Sequence, residues 1–267
     1  VTQIERLVRD PYAIYAEKVL RLRPLDPLGQ PPDYLERGIV VHAIAQRFVD
    51  ATRAGLPDRA AATALLLEVA EGVLAERVPW PDMRRIWRAR IARAAGWLVD
   101  TEAARRAAGA PLALEVKGAI ELDAPAGPFR LTARADRVDR LLDGGAAIYD
   151  YKAGDPPTKA QIDQGFNQQL HLQAAILSAG GFASIGALEP RLGAYLAPHG
   201  KGAGGSERRV ETLAEEIADH MEKLRRLIAR YDHPETPYLS WARPERESDT
   251  GDYDHLARRG EWEGGGA

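Results

Sequence analysis

A chain of 267 residues with 45% hydrophobic and 28% charged side chains is long enough to bury a substantial core and ordinary in composition for a globular fold. Its formal net charge of −3 gives no general pull toward nucleic acid or an anionic membrane, so a polyanion site has to be a local patch. The lack of cysteine excludes disulfides, thiolate zinc sites and cysteine-held iron–sulfur clusters, and fits a reducing, cytoplasmic setting. No run approaches the ~18 apolar residues of a membrane span, so no membrane partner is expected. The opening Val1, without Met and inside a helical pattern, points to a piece of a longer protein.

Residues 2–20 pattern as a helix interrupted at Pro11. A Pro-rich connector, "RPLDPLGQPPD", precedes a helix over 34–53 with Val41, Ile44, Ala45 and Phe48 on its apolar face. Asp58 is placed to cap a helix to about Val78, and another long helix covers roughly 82–108. Its basic stretch "RRIWRARIAR" is either the solvated side of an amphipathic helix or a strip that touches phosphates, with Arg85 and Arg88 as the candidate DNA contacts.

From Pro111 the pattern alternates: strands are expected at 112–122, 129–142 and 146–152, with "DGG" at 143–145 as a hairpin turn. Thr158 and Gln161 form a capping box, Gly165 breaks that helix, and a longer one runs to Ala179. A strand at 191–198, the Gly-rich loop "HGKGAGGSE" and an amphipathic helix over 211–231 follow, the last with Leu213, Ile217, Met221, Leu224 and Ile228 in one stripe. The expected organisation is a helical part over 1–110, an α/β core over 111–231 and an extended tail over 232–267 packing on it.

The stretch "AAIYDYKAGDPP" carries the chemistry. Alternation puts Asp150 and Lys152 on one face and Tyr151 on the other. With a loop of Asp143, Gly144 and Gly145, Asp136 stands opposite Lys152 and diagonal to Asp150, near enough for both carboxylates to reach one ion. A loop shorter by one residue turns Asp136 to the wrong face. Two acids converging beside an amine are awkward as pure structure, and a divalent cation removes the conflict. Mg²⁺ suits them, because it takes hard oxygen ligands and needs only one or two carboxylates from the protein.

Asp136 in "RADRVD" followed by "DYK" at 150–152 resembles the PD-(D/E)XK nuclease signature in its RecB-type form. "RGIVVHAIAQRF" is similar to the upstream helix of that family, with Gly38 and His42 in place. "QQLHLQAAIL" resembles the helix after the motif, with its glutamine at Gln169. The opening and closing stretches look most like the nuclease region of AddB-like subunits of alphaproteobacterial helicase–nucleases.

The resemblance implies a restriction-endonuclease-like mixed α/β sheet core flanked by helices, with an N-terminal helical elaboration. It also implies a Mg²⁺-dependent DNase acting on single strands and cutting the 5′-ended one in double-strand-break repair and recombination, beside an AddA-like helicase–nuclease subunit and the rest of an AddB-like chain. It casts Asp136, Asp150, Lys152 and Gln169 as catalytic. The metal ligands would be His42, Asp136, Asp150, the backbone oxygen of Tyr151 and Glu115, with Mn²⁺ tolerated because imidazole is a nitrogen donor. Against these stand structural readings: Asp136 paired with Arg134 or Arg137, Glu115 paired with Lys117, and His42 as a helix-face histidine.

The pattern is also departed from. Asp10 stands where many relatives have a cysteine of an iron–sulfur cluster, so ordinary packing by Tyr238, Trp241 and Tyr253 has to hold the tail to the first helix. Ala135 replaces the usual Pro, and Gln173 an aromatic residue. Rival readings are a non-catalytic DNA-binding or scaffolding module of the same fold and a free-standing RecB- or Cas4-like nuclease. His171, His199, His220, His233 and His255 show no recognised spacing.

Overall fold

The structure, a computed structural model, describes residues 1–25, 34–210, 213–244, 250–259 and 261. Most of the Pro-rich connector and part of the tail lie outside the described residues. α1 (Thr2–Arg9) stops at Asp10, whose side chain accepts from the Ala13 amide and caps α2 (Pro11–Ile14), and a π-helical turn (Tyr15–Val19) follows. Pro11 sits at the first helical position, where its missing N–H costs nothing. The interruption therefore divides one apolar pattern into two helices.

Three long helices come next: α3 (Tyr34–Ala51), α4 (Arg59–Arg77) and α5 (Pro81–Ala108). Asp58 caps α4 as its sequence position predicts, accepting from the amides of Ala60 and Ala61 at 2.9 Å each. The three helices pack on one another through Val40, Ile44, Phe48, Leu66, Val73, Leu74, Trp87 and Val99.

The core sheet contains β1 (Gly109–Leu122), β2 (Phe129–Leu141), β3 (Ala146–Tyr151), β4 (Pro190–Ala197) and β5 (Ser206–Val210), in that spatial order. β1, β2 and β3 are antiparallel neighbours, β4 runs parallel to β3, and β5 is antiparallel to β4. β5 was not expected: its sequence opens on the end of the Gly-rich loop and continues "SERRV", an edge strand too short and charged to announce itself. The parallel crossover from β3 to β4 carries α6 (Lys159–Asp163), opened by the predicted Thr158–Gln161 capping box, and α7 (Gln169–Ser178). Gly165, at φ +80°, makes the break between them. α8 (Leu213–Asp232) follows β5.

One face of the sheet packs on α1, α7 and α8, through Ile4, Leu170, Ile176, Leu177, Met221, Leu224 and Ile228. On the other face, Ala147, Tyr149, Tyr151, Ala194 and Leu196 pack against Val41 and Ala45 of α3. The sheet is thus a central layer, and β3, buried along its whole length, lies at its middle. The tail is held to the first helices as expected from Tyr238, Trp241 and Tyr253. Tyr253 packs on Ala13 and Ala16 and donates to the Leu22 carbonyl at 2.9 Å, Trp241 N donates to Asp10, and the Tyr238 ring meets that of Tyr15 at a tilt, 5.6 Å between centroids.

Candidate active site

The hairpin that delivers the acids differs from its expected register. Leu141 N bonds Gly145 O, Gly144 occupies φ +85°, and Asp143 Oδ1 accepts from Gly145 N. The loop is therefore Leu142, Asp143 and Gly144, one residue earlier than predicted. β2 and β3 pair Arg137 with Tyr149 and Val138 with Ile148. Continued by one residue, that register sets Asp136 opposite Asp150, where Lys152 had been expected. The slip is by two positions along the partner, so the face is kept and the two acids come closer than a diagonal pair.

β1 extends the row. Leu114 pairs with Arg137 and Val116 with Ala135, so Glu115 stands in line with Asp136. Glu115 has φ +50°, a left-handed backbone that costs a glutamate energy and marks a local distortion of the strand. Three neighbouring strands thus present Glu115, Asp136 and Asp150 side by side. The expected salt partners are engaged elsewhere: Arg134 pairs with Glu115 at 2.6 Å, and Arg137 with Glu102 and Asp139. Lys117 is not the partner of Glu115.

Helices bring the remaining groups. α3 carries His42, whose Nδ1 lies 3.3 Å from Asp136 Oδ2, and the ligand atoms of His42, Glu115 and Asp136 all fall within 4.8 Å of one another. The Tyr151 amide donates to the same Asp136 oxygen at 2.9 Å, fixing that carboxylate on the end of β3. α7 begins at Gln169, which donates from Nε2 to Asp150 Oδ1 and accepts from Lys152 Nζ at 2.8 Å. Lys152 Nζ also stands 2.8 Å from Asp150 Oδ2. One glutamine therefore orients both the acid and the amine of "DYK".

The electrostatics follow from burial. Asp150 has no exposed surface, and desolvation lifts its carboxyl from 3.8 to about 6 against the opposing pull of Lys152. Burial also raises Glu115, with Asp136 adding repulsion. Burial works against a charge on His42, but the hydrogen bond to Asp136 and the nearby acids prevail and take the imidazole to about 9. Lys152 is likewise opposed by burial and held protonated by Asp150. Without a cation, protons on these groups offset a surplus of acid.

The donor set suits a hard divalent ion. Asp150 Oδ2 is buried with the Lys152 ammonium 2.8 Å away, and the Asp136 carboxylate lies next to it on β2. His42, Asp136 and Glu115 supply one nitrogen and further carboxylate oxygens.

Two site features escaped sequence reasoning. Glu5 of α1 accepts from the Gln168 amide at 3.1 Å, and its charge acts on Lys152, although nothing in an amphipathic N-terminal helix distinguishes it. An open cavity of about 800 Å³ beside Gln169 is lined by Lys117, Arg130, Thr132, Arg134 and Gln173, which makes it locally basic. By contrast, Arg85 and Arg88 are exposed on α5 and pair with Asp82 and Glu71.

Three uncharacterised proteins of Rickettsia species are similar to the chain: that of R. bellii is 26% identical over 183 residues, that of R. typhi 26% over 187 and that of R. conorii 25% over 193. The matches cover 68%, 68% and 70% of this chain but only 22%, 21% and 23% of those proteins, so the chain spans less than a quarter of their length. The crystal structure of a protein called SSO0001 overlaps 70% of this chain and 87% of its own at 11% identity, with a TM-score of 0.28, too slight a likeness to carry an argument. The profile of the PD-(D/E)XK nuclease superfamily matches residues 1–242, and the mixed five-stranded sheet between helical layers is the corresponding restriction-endonuclease-like α/β fold. The chain belongs to the PD-(D/E)XK nuclease superfamily.

Proposed function

We propose that this chain is a Mg²⁺-dependent deoxyribonuclease domain, with Asp136, Asp150 and His42 holding the cation and Mn²⁺ accepted in its place. Glu115 and the backbone oxygen of Tyr151 are further donors within the same strand ends. The carrying observation is the convergence of His42, Glu115 and Asp136 ligand atoms within 4.8 Å of one another, beside the buried Asp150–Lys152 pair. A bound Mg²⁺ supplies Lewis acidity toward a phosphoryl oxygen and lowers the pKa of a coordinated water.

The chain's own groups do the rest. Lys152, held by Gln169 and Asp150, places an ammonium where negative charge grows on the reacting phosphate. Gln169 keeps the amine and Asp150 in one orientation, so neither has to reorganise during the reaction. Lys117, Arg130 and Arg134 line the path by which a strand's phosphates approach, a task that this reading moves away from Arg85 and Arg88.

In its wider setting the domain trims single strands, exonucleolytically from the 5′-ended one, for an AddAB-type helicase–nuclease in double-strand-break repair and recombination. An AddA-like subunit handles the other strand. Residues 1–110, 111–231 and 232–267 form the helical part, the catalytic core and the tail of this unit. What supports the setting is the resemblance of the chain's opening and closing stretches, and the Rickettsia proteins, matched over 22% and 21% of their length, carry a similar region within longer chains. The test is cleavage of 5′-labelled single-stranded DNA with Mg²⁺, wild type against Lys152→Ala. Cutting that needs Mg²⁺ and Lys152 supports the reading. DNA binding without cutting, even with the partner subunit present, overturns it in favour of a scaffolding module.

A further inference from the structure

We infer that α7 and α8 carry a second metal site, formed by His171, Glu216 and His220 and suited to a zinc-class cation, which ties the two helices together behind the acid row. The three residues come from two helices, and nothing in the amino-acid pattern joins them. Glu216 and His220 are one turn apart on α8 and so share a face, while His171 reaches them from α7. One ligand atom from each lies within 4.8 Å of the others.

Three observations set this cluster apart from core histidines that are simply packed. First, His171 is completely buried, yet its Nδ1 has no hydrogen-bond partner, while its Nε2 lies 2.7 Å from Glu216 Oε2. A satisfied core histidine would use both nitrogens. With Nε2–H donated to Glu216, the buried Nδ1 is left as a bare lone pair. Second, the His171 and His220 rings stack 3.8 Å apart, centroid to centroid and 21° from parallel, and a ligand atom of each lies within 4.8 Å of one from Glu216. Third, His220 Nδ1 faces Gln168 Oε1 at 3.4 Å. An N–H donated there leaves the lone pair on Nε2, and such an outer hydrogen bond is how metal-bound histidines are oriented.

Two nitrogens and one carboxylate oxygen match the donor preference of Zn²⁺ and its neighbours better than that of Mg²⁺. The Glu216 side chain is 36% exposed, which gives an ion an entry route and leaves a fourth position for water. The site is structural in consequence: Gln168 is its outer partner, and the next residue, Gln169, orients Lys152 and Asp150. Occupancy would hold the start of α7 against α8.

The inference does not depend on the nuclease reading, and its test excludes the acid row. Co²⁺ and Zn²⁺ are titrated into the 267-residue chain carrying His42→Ala and Asp136→Asn. The expected result is one equivalent of Co²⁺ with visible absorption bands of a four-coordinate site, displaced by Zn²⁺, and a rise of several degrees in Tm with Zn²⁺. Adding His220→Ala should abolish both signals. Since His220 is buried, Glu216→Gln on the helix surface is the second variant, expected to weaken Co²⁺ binding at least tenfold while the metal-free Tm stays put. Absence of bands and of a Tm shift in the parent chain, or their survival in both variants, overturns the inference.

Discussion

Asp136 and Arg137 are adjacent on β2, yet they belong to charge clusters built on opposite principles. Arg137 is fully buried and forks to Asp139 at 2.6 and 2.7 Å and to Glu102 at 2.5 and 3.1 Å, while Arg106 holds Glu102 from the far side. Both carboxylates are held by guanidinium groups, buried Arg105 adds a third whose charge also acts on Glu102, and the Tyr149 ring lies under Arg137 at 5.3 Å. Around Asp136, three carboxylates converge on one ammonium and one imidazole, with Arg134 engaging only the Glu115 edge. A buried cluster whose carboxylates are all held by guanidinium groups holds structure together, whereas a surplus of acid kept in place by the sheet marks a candidate cation site.

The largest expected effect separates the clusters by activity. Asp150→Asn should cut DNA cleavage by about 10³-fold or more while leaving the metal-free fold as stable as wild type, since the substitution removes an unfavourable buried charge. Comparable loss of folding would place Asp150 in the structural class. Next comes Arg137→Ala, which strands two buried carboxylates and should lower unfolding free energy by roughly 3–5 kcal/mol in denaturant titrations. A cost under about 1 kcal/mol would erase the contrast.

Metal and pH sharpen it further. Mg²⁺ or Mn²⁺ should raise the Tm of wild type and much less that of Asp150→Ala, because only the folded acid row binds the ion. The clusters should also pull stability in opposite directions as pH changes. Asp150, at about 6 against 3.8, and His42, at about 9 against 6.5, both bind protons more tightly when folded, so their contribution is full at low pH. It is lost as pH rises through about 4 to 6 for the acid and about 6.5 to 9 for the imidazole. Burial opposes the charge on Glu102, but Arg137 holds its carboxylate below the usual 4.5, so its contribution is present above that value and lost on acidification. Metal-free unfolding curves across this range should show an alkaline loss that Asp150→Asn reduces and an acid loss that it leaves alone. The smallest effect is Arg134→Ala: its exposed pairing with Glu115 should be worth less than about 1 kcal/mol, and stronger Mg²⁺ binding in that variant would mark Glu115 as a freed ligand.

Much of the architecture was legible because local signals act locally. Asp58, Thr158 with Gln161, Gly165 and Pro11 start or break elements through their own hydrogen bonds and dihedrals, and their neighbours in sequence are their neighbours in space. β5 was not legible, since pairing with β4 defines it more than its own residues do. The shared face of Asp136 and Asp150 was legible through alternation. Their direct opposition was not, because a three-residue loop beginning at Leu142 and one beginning at Asp143 fit the "DGG" signal equally well.

By itself, then, the amino-acid sequence determined the element order apart from β5 and the parity that puts the acids and the lysine on one face, while its resemblance to a known family singled out His42 and Gln169. Only the tertiary structure decided which acid faces which, that Glu5 lies near Lys152, that Arg134 occupies Glu115, and that His171 meets Glu216 and His220. The physical reason is range: capping, turns and alternation are set within a few residues, whereas register and helix packing are settled by burial summed over the whole core.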